Sequence, residues 1–293
     1  MKALRFVIPN GSLEMKTREY LSAVGYDLGD ADSRGCIGEC GGIEFFIRDR
    51  RMIPLHVTKM YDAGLTGYDL ILHSGLILQF ELVASLCFSR KTTRPTRWVL
   101  AGKTVDIDEI RRRRSSKLRI GCELTGIAPP LLHGQNIQDY ELVPLEGDEE
   151  QAVDDDLCDL VLCVTETGGA LRRAGLTMLP GCEELLVSKP CIFTRKDMKQ
   201  YGKREALNEL TLSLQSAVEA KSHVLVSCDI EEKNFPRLTL PSAVAPSSFR
   251  TTKEGWIAFQ ICIERQQYPR VLRLISEAGG KATILQSMEG YLP

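Results

Sequence analysis

The sequence predicts an α/β protein of two lobes followed by a small ferredoxin-like module. Three observations carry that prediction. Apolar, β-prone runs alternate with segments of helical spacing through residues 3–220, which implies mostly parallel sheets. The stretch Asp159-Leu-Val-Leu-Cys-Val-Thr-Glu-Thr-Gly-Gly-Ala-Leu171 passes from a buried strand through a small-residue loop into the first turn of a helix. From residue 223 onward the order becomes β-α-β-β-α-β within some 70 residues, the split βαβ pattern.

Taken in order, residues 3–9 (Ala-Leu-Arg-Phe-Val-Ile-Pro) read as the first strand, and Asn10-Gly-Ser12 as the turn after it. Leu13–Val24 has helical spacing and Gly25 stops it. Ile43–Arg48 reads as a second strand, Met52–Gly64 as a helix and Tyr68–Leu72 as a third strand. Trp98–Ala101, Leu118–Cys122 and Tyr140–Leu145 are further strands, and a helix near 149–157 precedes the strand–loop–helix stretch. Glu205–Ala220 is an amphipathic helix carrying Leu207, Leu210, Leu212, Leu214 and Val218. In the last module, a strand from His223 and a short helix precede a strand over Gly255–Ile263. A helix over Tyr268–Ala278, ended by Gly279-Gly280, leads to a last strand at Ala282–Gln286. The expected division is a first lobe at 1–94 and 186–220, a second at 95–185, and the small module at 221–293, with a ligand cleft between the lobes.

Composition narrows the function classes. The chain is 43% apolar and 26% charged, as expected of a globular protein in water. A net charge of −2 gives no global field for nucleic acid or a membrane surface, and neither is expected as a partner. No apolar run approaches the ~20 residues of a membrane helix. The N-terminus enters a strand pattern directly, and we read the protein as cytoplasmic. The ten cysteines are scattered, form no Cys-x-x-Cys pair and mostly sit in apolar runs, so they read as reduced, buried thiols.

The loop Thr165-Glu-Thr-Gly-Gly-Ala170 is the main candidate site, because N–H groups at a helix start seat phosphate. Gly-containing strand-to-helix turns also occur without a ligand, so the motif alone is weak. His73, in Leu72-His-Ser-Gly75, reads as sitting at a strand end, either lining the cleft or hydrogen-bonded as a structural residue. Arg111–Arg114 follows Asp106-Ile-Asp-Glu109 and reads as a solvated helix with internal charge pairs, or else as a patch at the cleft mouth. Asp154-Asp-Asp156 reads as a solvated helical turn, since three consecutive side chains splay around a helix. Lys189 reads as solvated or as facing the cleft.

These segments in sequence resemble the ATP phosphoribosyltransferase family in its long, single-chain form. The pieces are Val7–Leu13, Ile53-Pro-Leu55, Gly67–Leu70, Leu118–Glu123, Glu141–Gly147, the loop at 165–171, Ser188–Cys191, Leu240-Pro241, Ala245-Pro246 and Glu254–Ala258. Glu150 to Leu171 lies on the family's signature without a gap, with Glu150, Val161, Val164, Thr167, Gly168 and Leu171 fitting it. The resemblance implies two periplasmic-binding-like catalytic lobes with a C-terminal ferredoxin-like (ACT-like) domain. It implies transfer of phosphoribose from phosphoribosyl pyrophosphate (PRPP) to N1 of ATP, the first step of histidine biosynthesis. It further implies Mg²⁺, a histidine-like effector at the C-terminal domain and a homo-oligomer, hexamer or dimer. We expect any effector to bind between subunits around 245–257.

On this resemblance Thr165, Glu166, Thr167, Gly168, Gly169 and Ala170 form the 5′-phosphate cradle, and Cys163 stands where the family has the acidic residue that grips the ribose hydroxyls. Ala170 replaces a hydroxyl residue, Asp156 a glycine, and Asn10-Gly11-Ser12 a basic-Gly-Arg stretch, which removes two cations expected near the phosphates. Three readings follow. The chain is a phosphoribosyltransferase; or a paralogue that has lost PRPP transfer and acts on or senses another anionic small molecule; or a two-lobed ligand-binding protein.

Overall fold

A computed structural model of the chain describes residues 3–89, 94–104, 106–113, 117–147, 149–240 and 247–292, without the side chains of 12, 111, 113, 150 and 237. Two compact units emerge: residues 1–18 with 28–208, and residues 19–27 with 209–293. In the first unit the chain runs through β1 (Leu4–Pro9), α1 (Glu14–Ala23), β2 (Cys36–Cys40), β3 (Ile43–Arg48), α2 (Ile53–Lys59), β4 (Ala63–Gly67), α3 (Tyr68–His73) and β5 (Phe80–Ser85). It then crosses to β6 (Thr96–Gly102), α4 (Ile107–Arg113), β7 (Leu118–Cys122), α5 (Ala128–Gly134), β8 (Tyr140–Pro144), α6 (Glu149–Asp154), β9 (Leu160–Thr165), α7 (Gly169–Arg173), β10 (Thr177–Met178) and β11 (Leu186–Ser188). It returns as β12 (Pro190–Arg195) and enters the long helix α8 (Tyr201–Ser222).

These strands form two sheets, ordered β2-β3-β1-β4-β12-β5 and β10-β6-β9-β7-β8, with β11 also on β6. Both are mixed rather than uniformly parallel. β1 lies parallel to β3 and β4, while β12, the returning strand, runs antiparallel to β4 and β5. In the second sheet β7 is parallel to β8 and β9, and β6, the entering strand, is antiparallel to β9. Strands β6 and β12, which carry the chain into the second lobe and back, are both antiparallel members; β2, at the edge of the first sheet, also runs antiparallel to β3. Leu186–Ser188 pairs with β6, so the chain leaves the second sheet after Ser188, three residues past the expected boundary at 185.

Two expected elements exchange places. Tyr68–Leu72 is helix α3, and the strand is Ala63–Gly67, which the helical reading of 52–64 had partly absorbed. The reason is packing. Ala63–Gly67 is buried at every position, so it shows no alternation, and small residues let it lie close to its neighbours. A Cβ on Gly64 would stand 2.8 Å from Val7 Cγ1 and 3.1 Å from Ile53 Cγ2. Strand β2 carries no strong apolar run and was not expected.

The second unit holds β13 (His223–Glu231), β14 (Ser247–Arg250), β15 (Trp256–Glu264), α9 (Tyr268–Glu277) and β16 (Lys281–Gln286) in the order β14-β15-β13-β16. All pairings are antiparallel, and the order second-third-first-fourth is the ferredoxin-like arrangement. Burial alternates strictly along β13, and Val224, Val226, Cys228 and Ile230 meet Val271 and Ile275 of α9. The expected first helix of this module appears as a single 3₁₀ turn at Phe235–Arg237. Residues 241–246, which include Ala245 and Pro246 of the effector expectation and Pro241 of the resemblance, lie outside the described residues.

All ten cysteines are free thiols, as their scatter implied. Burial pushes the Cys122 thiol up to about 12, so it stays protonated at neutral pH. The β4 packing yields a test. Gly64→Ala is expected to destabilise the first unit by about 1–3 kcal/mol through overpacking, read by urea unfolding; an unchanged midpoint would show that the Val7–Ile53 contact can yield.

Candidate functional site

The cleft of the first unit is bounded by strand ends from both sheets and encloses about 540 Å³, within the ~300–1,000 Å³ typical of small-molecule sites. Its floor is a bond between the two lobes, from a strand of one to a helix of the other. The Trp98 indole, on β6 and 1% exposed, donates from Nε1 to Asp69 Oδ2 at 2.9 Å. Asp69 Oδ1 accepts from the Leu70 amide at 2.9 Å, and the Asp69 amide donates to Ser188 Oγ at 3.2 Å. A Cβ on Gly67 would come within 2.4 Å of Asp69 Oδ1, so the carboxylate holds this position because residue 67 has no side chain.

On the second lobe, β9 runs out into the loop 165–170. Thr165 Oγ1 accepts the Gly168 amide at 2.9 Å, closing a side-chain-capped turn. Gly168 has φ +70°, a left-handed backbone that favours glycine, and the nearest neighbour of a Cβ there would be the flexible end of the Met178 side chain. Gly169 and Ala170 open α7, and first-turn amides have no intrahelical acceptor. Thr165, Glu166, Thr167, Gly169, Ala170 and Arg173 all line the cavity. The sequence-derived cradle is therefore brought to the cleft, with Gly168 as its buried corner.

Cys163 is not on that lining. It is 2% exposed and packs with Val99, Val161 and Leu171 beneath the sheet. Strand alternation is the cause: Val164 faces the cavity, and its neighbour faces the core. The position to which the resemblance assigned the grip on the ribose hydroxyls is thus a core thiol.

On the first lobe, Leu13 lines the cavity, whereas Asn10 and Gly11 of the preceding turn do not. The turn instead supports another segment. Asn10 Oδ1 accepts the Arg50 amide at 3.3 Å, and Thr66 Oγ1 donates to the Arg50 carbonyl at 3.2 Å. Gly11 has φ +74° and shapes this turn. Arg50 lines the cavity, as does Lys189 at the return crossing. Arg50 Nη2 donates to Glu123 Oε1 at 2.6 Å, and Arg51 Nη2 shares the same oxygen. Sequence reasoning passed over Arg50, Arg51 and Glu123 as site residues. The available signal was position: Arg50-Arg51 follows strand β3 at its C-terminal end, where open α/β sheets place their ligands.

His73 ends helix α3 rather than a strand, and it is absent from the cavity lining. Its Nδ1 accepts the Gly126 amide at 3.1 Å, a second tie between the lobes and the structural alternative of its two readings. Of the basic run, Arg112 is exposed, 3.8 Å from Asp106, in keeping with a solvated helix; Arg114 lies outside the described residues. Asp154 pairs with Lys103 and Asp156 with Arg119, and neither lines the cavity.

Residues 50–216 match the sequence model of a family described as ATP phosphoribosyltransferase. A protein of that name from Salinispora tropica is 27% identical over 291 residues, covering 98% of each chain. Another from Streptomyces coelicolor is 26% identical over 290 residues, covering 96% of each. Among solved structures, a chain of the ATP phosphoribosyl transferase (HisG:HisZ) complex from Thermotoga maritima superposes with a TM-score of 0.59 at 25% identity. The match covers 74% of this chain and 98% of that one.

The His73 tie carries a pH signature. Accepting through Nδ1 requires the ring to be neutral, and burial followed by the nearby Arg51 holds its pKa below the ordinary value, against opposing pulls from Asp69 and Glu123. The folded chain then binds fewer protons than the unfolded one between the folded value and about 6.5. This contribution is complete above that window and is lost as pH falls through it. His73→Asn keeps an acceptor without a titration. Urea unfolding from about pH 7 to about pH 5 should show the native protein losing stability relative to His73→Asn; parallel curves would contradict the tie. His56, also lowered by burial, is common to both proteins and cancels.

Proposed function

The chain belongs to the ATP phosphoribosyltransferase family, and from that premise we propose that its cleft joins N1 of ATP's adenine to the anomeric carbon of PRPP with release of pyrophosphate, the first step of histidine biosynthesis. One observation carries the assignment of the site: a Gly-containing phosphate loop from one lobe and Arg50 and Lys189 from the other line a single cavity. In this reading the 5′-phosphate lies on the Gly169 and Ala170 amides with the Thr167 hydroxyl, and the helix start favours its charge. The pyrophosphate lies toward Arg50 and Lys189. Glu166, a carboxylate of the cavity lining, serves the ribose hydroxyls in place of the position occupied by Cys163.

The chemistry asks for little covalent help from the protein. Nitrogen attack and pyrophosphate departure leave positive charge on the ribose and negative charge on the leaving group. Fixed cations and amides stabilise that distribution without reorganising. Loss of the basic residues at 10 and 12 is offset by Arg50, whose backbone the Asn10 side chain holds.

The residues suit Mg²⁺ as a companion of the substrate. Among the described residues no group of three or more His, Cys, Asp or Glu side chains is placed to hold a metal. The lining carboxylates Asp69 and Glu123 are engaged by Trp98 and by Arg50 and Arg51. Mg²⁺ is commonly held by one or two carboxylates and the substrate's own phosphates, and it would supply charge neutralisation at the pyrophosphate.

We assign the C-terminal sheet to assembly and effector response. Its edge strand β14 is exposed throughout, with Phe249 57% exposed, which suits a contact with another subunit. Among the described residues no helix is long and apolar enough to cross a membrane, and we place the protein in the cytoplasm on its biosynthetic role. No observation favours the paralogue that has lost transfer.

Calorimetry with PRPP and Mg²⁺ is expected to show saturable binding, followed by pyrophosphate release only when ATP is added. Arg50→Ala should lower kcat/KM for PRPP at least about tenfold, the worth of one charge-assisted hydrogen bond. Binding of neither substrate at millimolar concentration would overturn the assignment.

A further inference from the structure

Among the contacts that tie the lobes of the first unit, one sets two arginines against a single carboxylate at the cavity. Asp69–Trp98 forms the cleft floor, and His73–Gly126 lies off the cavity lining. Glu123 is different. It follows β7 on the second lobe, lines the cavity and has a side chain only 14% exposed. Its single oxygen Oε1 receives Nη2 of both Arg50 and Arg51, whose side chains are 38% and 40% exposed. Of these two arginines, only Arg50 lines the cavity. A guanidinium carries five N–H donors in a planar fork, and Glu123 takes one from each, leaving the fork of Arg50 with further donors to present.

We propose that Glu123 is a positioning residue for the transfer: it aims Arg50 at the leaving pyrophosphate from the opposite lobe and then competes with that anion for the guanidinium, promoting its release. The proposal rests on the assignment of PRPP to this cleft and adds to it. Two physical facts support it. A largely buried carboxylate beside an anion site repels the anion unless its own charge is satisfied, and two arginines satisfy it here. The contact also joins opposite lobes, so an anion that draws Arg50 away weakens a tie between them. Gly126 lies three residues from Glu123, and His73, which accepts the Gly126 amide, feels the charge of Arg51. Loosening the carboxylate–arginine contact should therefore be felt at the Gly126 amide.

The test is Glu123→Gln, which keeps size and polarity and removes the charge. Inorganic pyrophosphate should bind the variant about fivefold more tightly than the native protein. With ATP and PRPP, KM for PRPP should fall while kcat falls about tenfold, as product release slows and Arg50 loses its aim. Glu123→Asp, which keeps the charge, should return pyrophosphate affinity toward the native value. In ligand-free protein, amide exchange across residues 124–127 should quicken in Glu123→Gln. A purely structural Glu123 would instead weaken pyrophosphate binding in step with a lowered melting temperature. That result, or unchanged affinity and exchange, overturns the proposal. Arg51→Gln, which leaves Glu123 with its charge and Arg50 as its partner, should act in the opposite direction on pyrophosphate, weakening its binding, while still quickening exchange across 124–127; it serves if Glu123→Gln folds poorly, and tighter pyrophosphate binding by it would overturn the proposal. If the native protein binds pyrophosphate and shows the exchange effect but does not consume PRPP, the substrate assignment fails and the positioning role stands.

Discussion

The cleft depends on one hydrogen bond between lobes. Trp98 is buried on the entering strand of the second lobe, and its indole N–H must find an acceptor there. Asp69, at the start of a helix on the first lobe, provides it at 2.9 Å. Ser188, beside the return crossing, holds the Asp69 amide. The two places where the chain passes between lobes are thus joined to the same residue, one through its carboxylate and the other through its amide. This fixes the floor, and with it the distance between the loop at 165–170 and the arginines that face it. Removing either partner leaves a polar group in a largely buried place, at a cost of about 1–3 kcal/mol.

Above that floor the site is a balance of charge. Arg50, Lys189 and Arg173 are the cations on the lining, and Asp69, Glu123 and Glu166 the carboxylates. Two of those carboxylates are held by partners from the opposite lobe, so the field that an entering ligand meets depends on how the lobes are tied. The turn at Asn10–Ser12 has lost its basic side chains but retains a task, since Asn10 fixes the backbone of Arg50. The cations that line the cavity come from the end of the next strand, the return crossing and α7.

Much of the fold was legible because periodicity and punctuation agree with it. The first strand, the strand–loop–helix at 159–171, the long amphipathic helix and the alternation along β13 all follow from apolar spacing and glycine placement. What failed did so for physical reasons. Ala63–Gly67 is a central strand whose small residues are demanded by Val7 and Ile53, so its sequence carries no alternation. Tyr68–Leu72 is apolar enough for a strand, but in the structure Asp69 turns back onto the Leu70 amide and the segment is helical. Cys163 was placed correctly along the chain and misjudged in direction, because a signature records spacing and not which face of a strand a side chain takes. His73 and the Arg50–Glu123 contact join residues 53 and 73 apart in sequence, and no local pattern announces such pairs.

The central claim is that main-chain donors at the start of α7 grip an anionic sugar phosphate. Titration of ¹⁵N-labelled protein with ribose 5-phosphate, followed by amide chemical shifts, tests it most directly. The account predicts saturable shifts concentrated at the Thr167, Gly169 and Ala170 amides. Saturable binding that leaves those amides unmoved would contradict it.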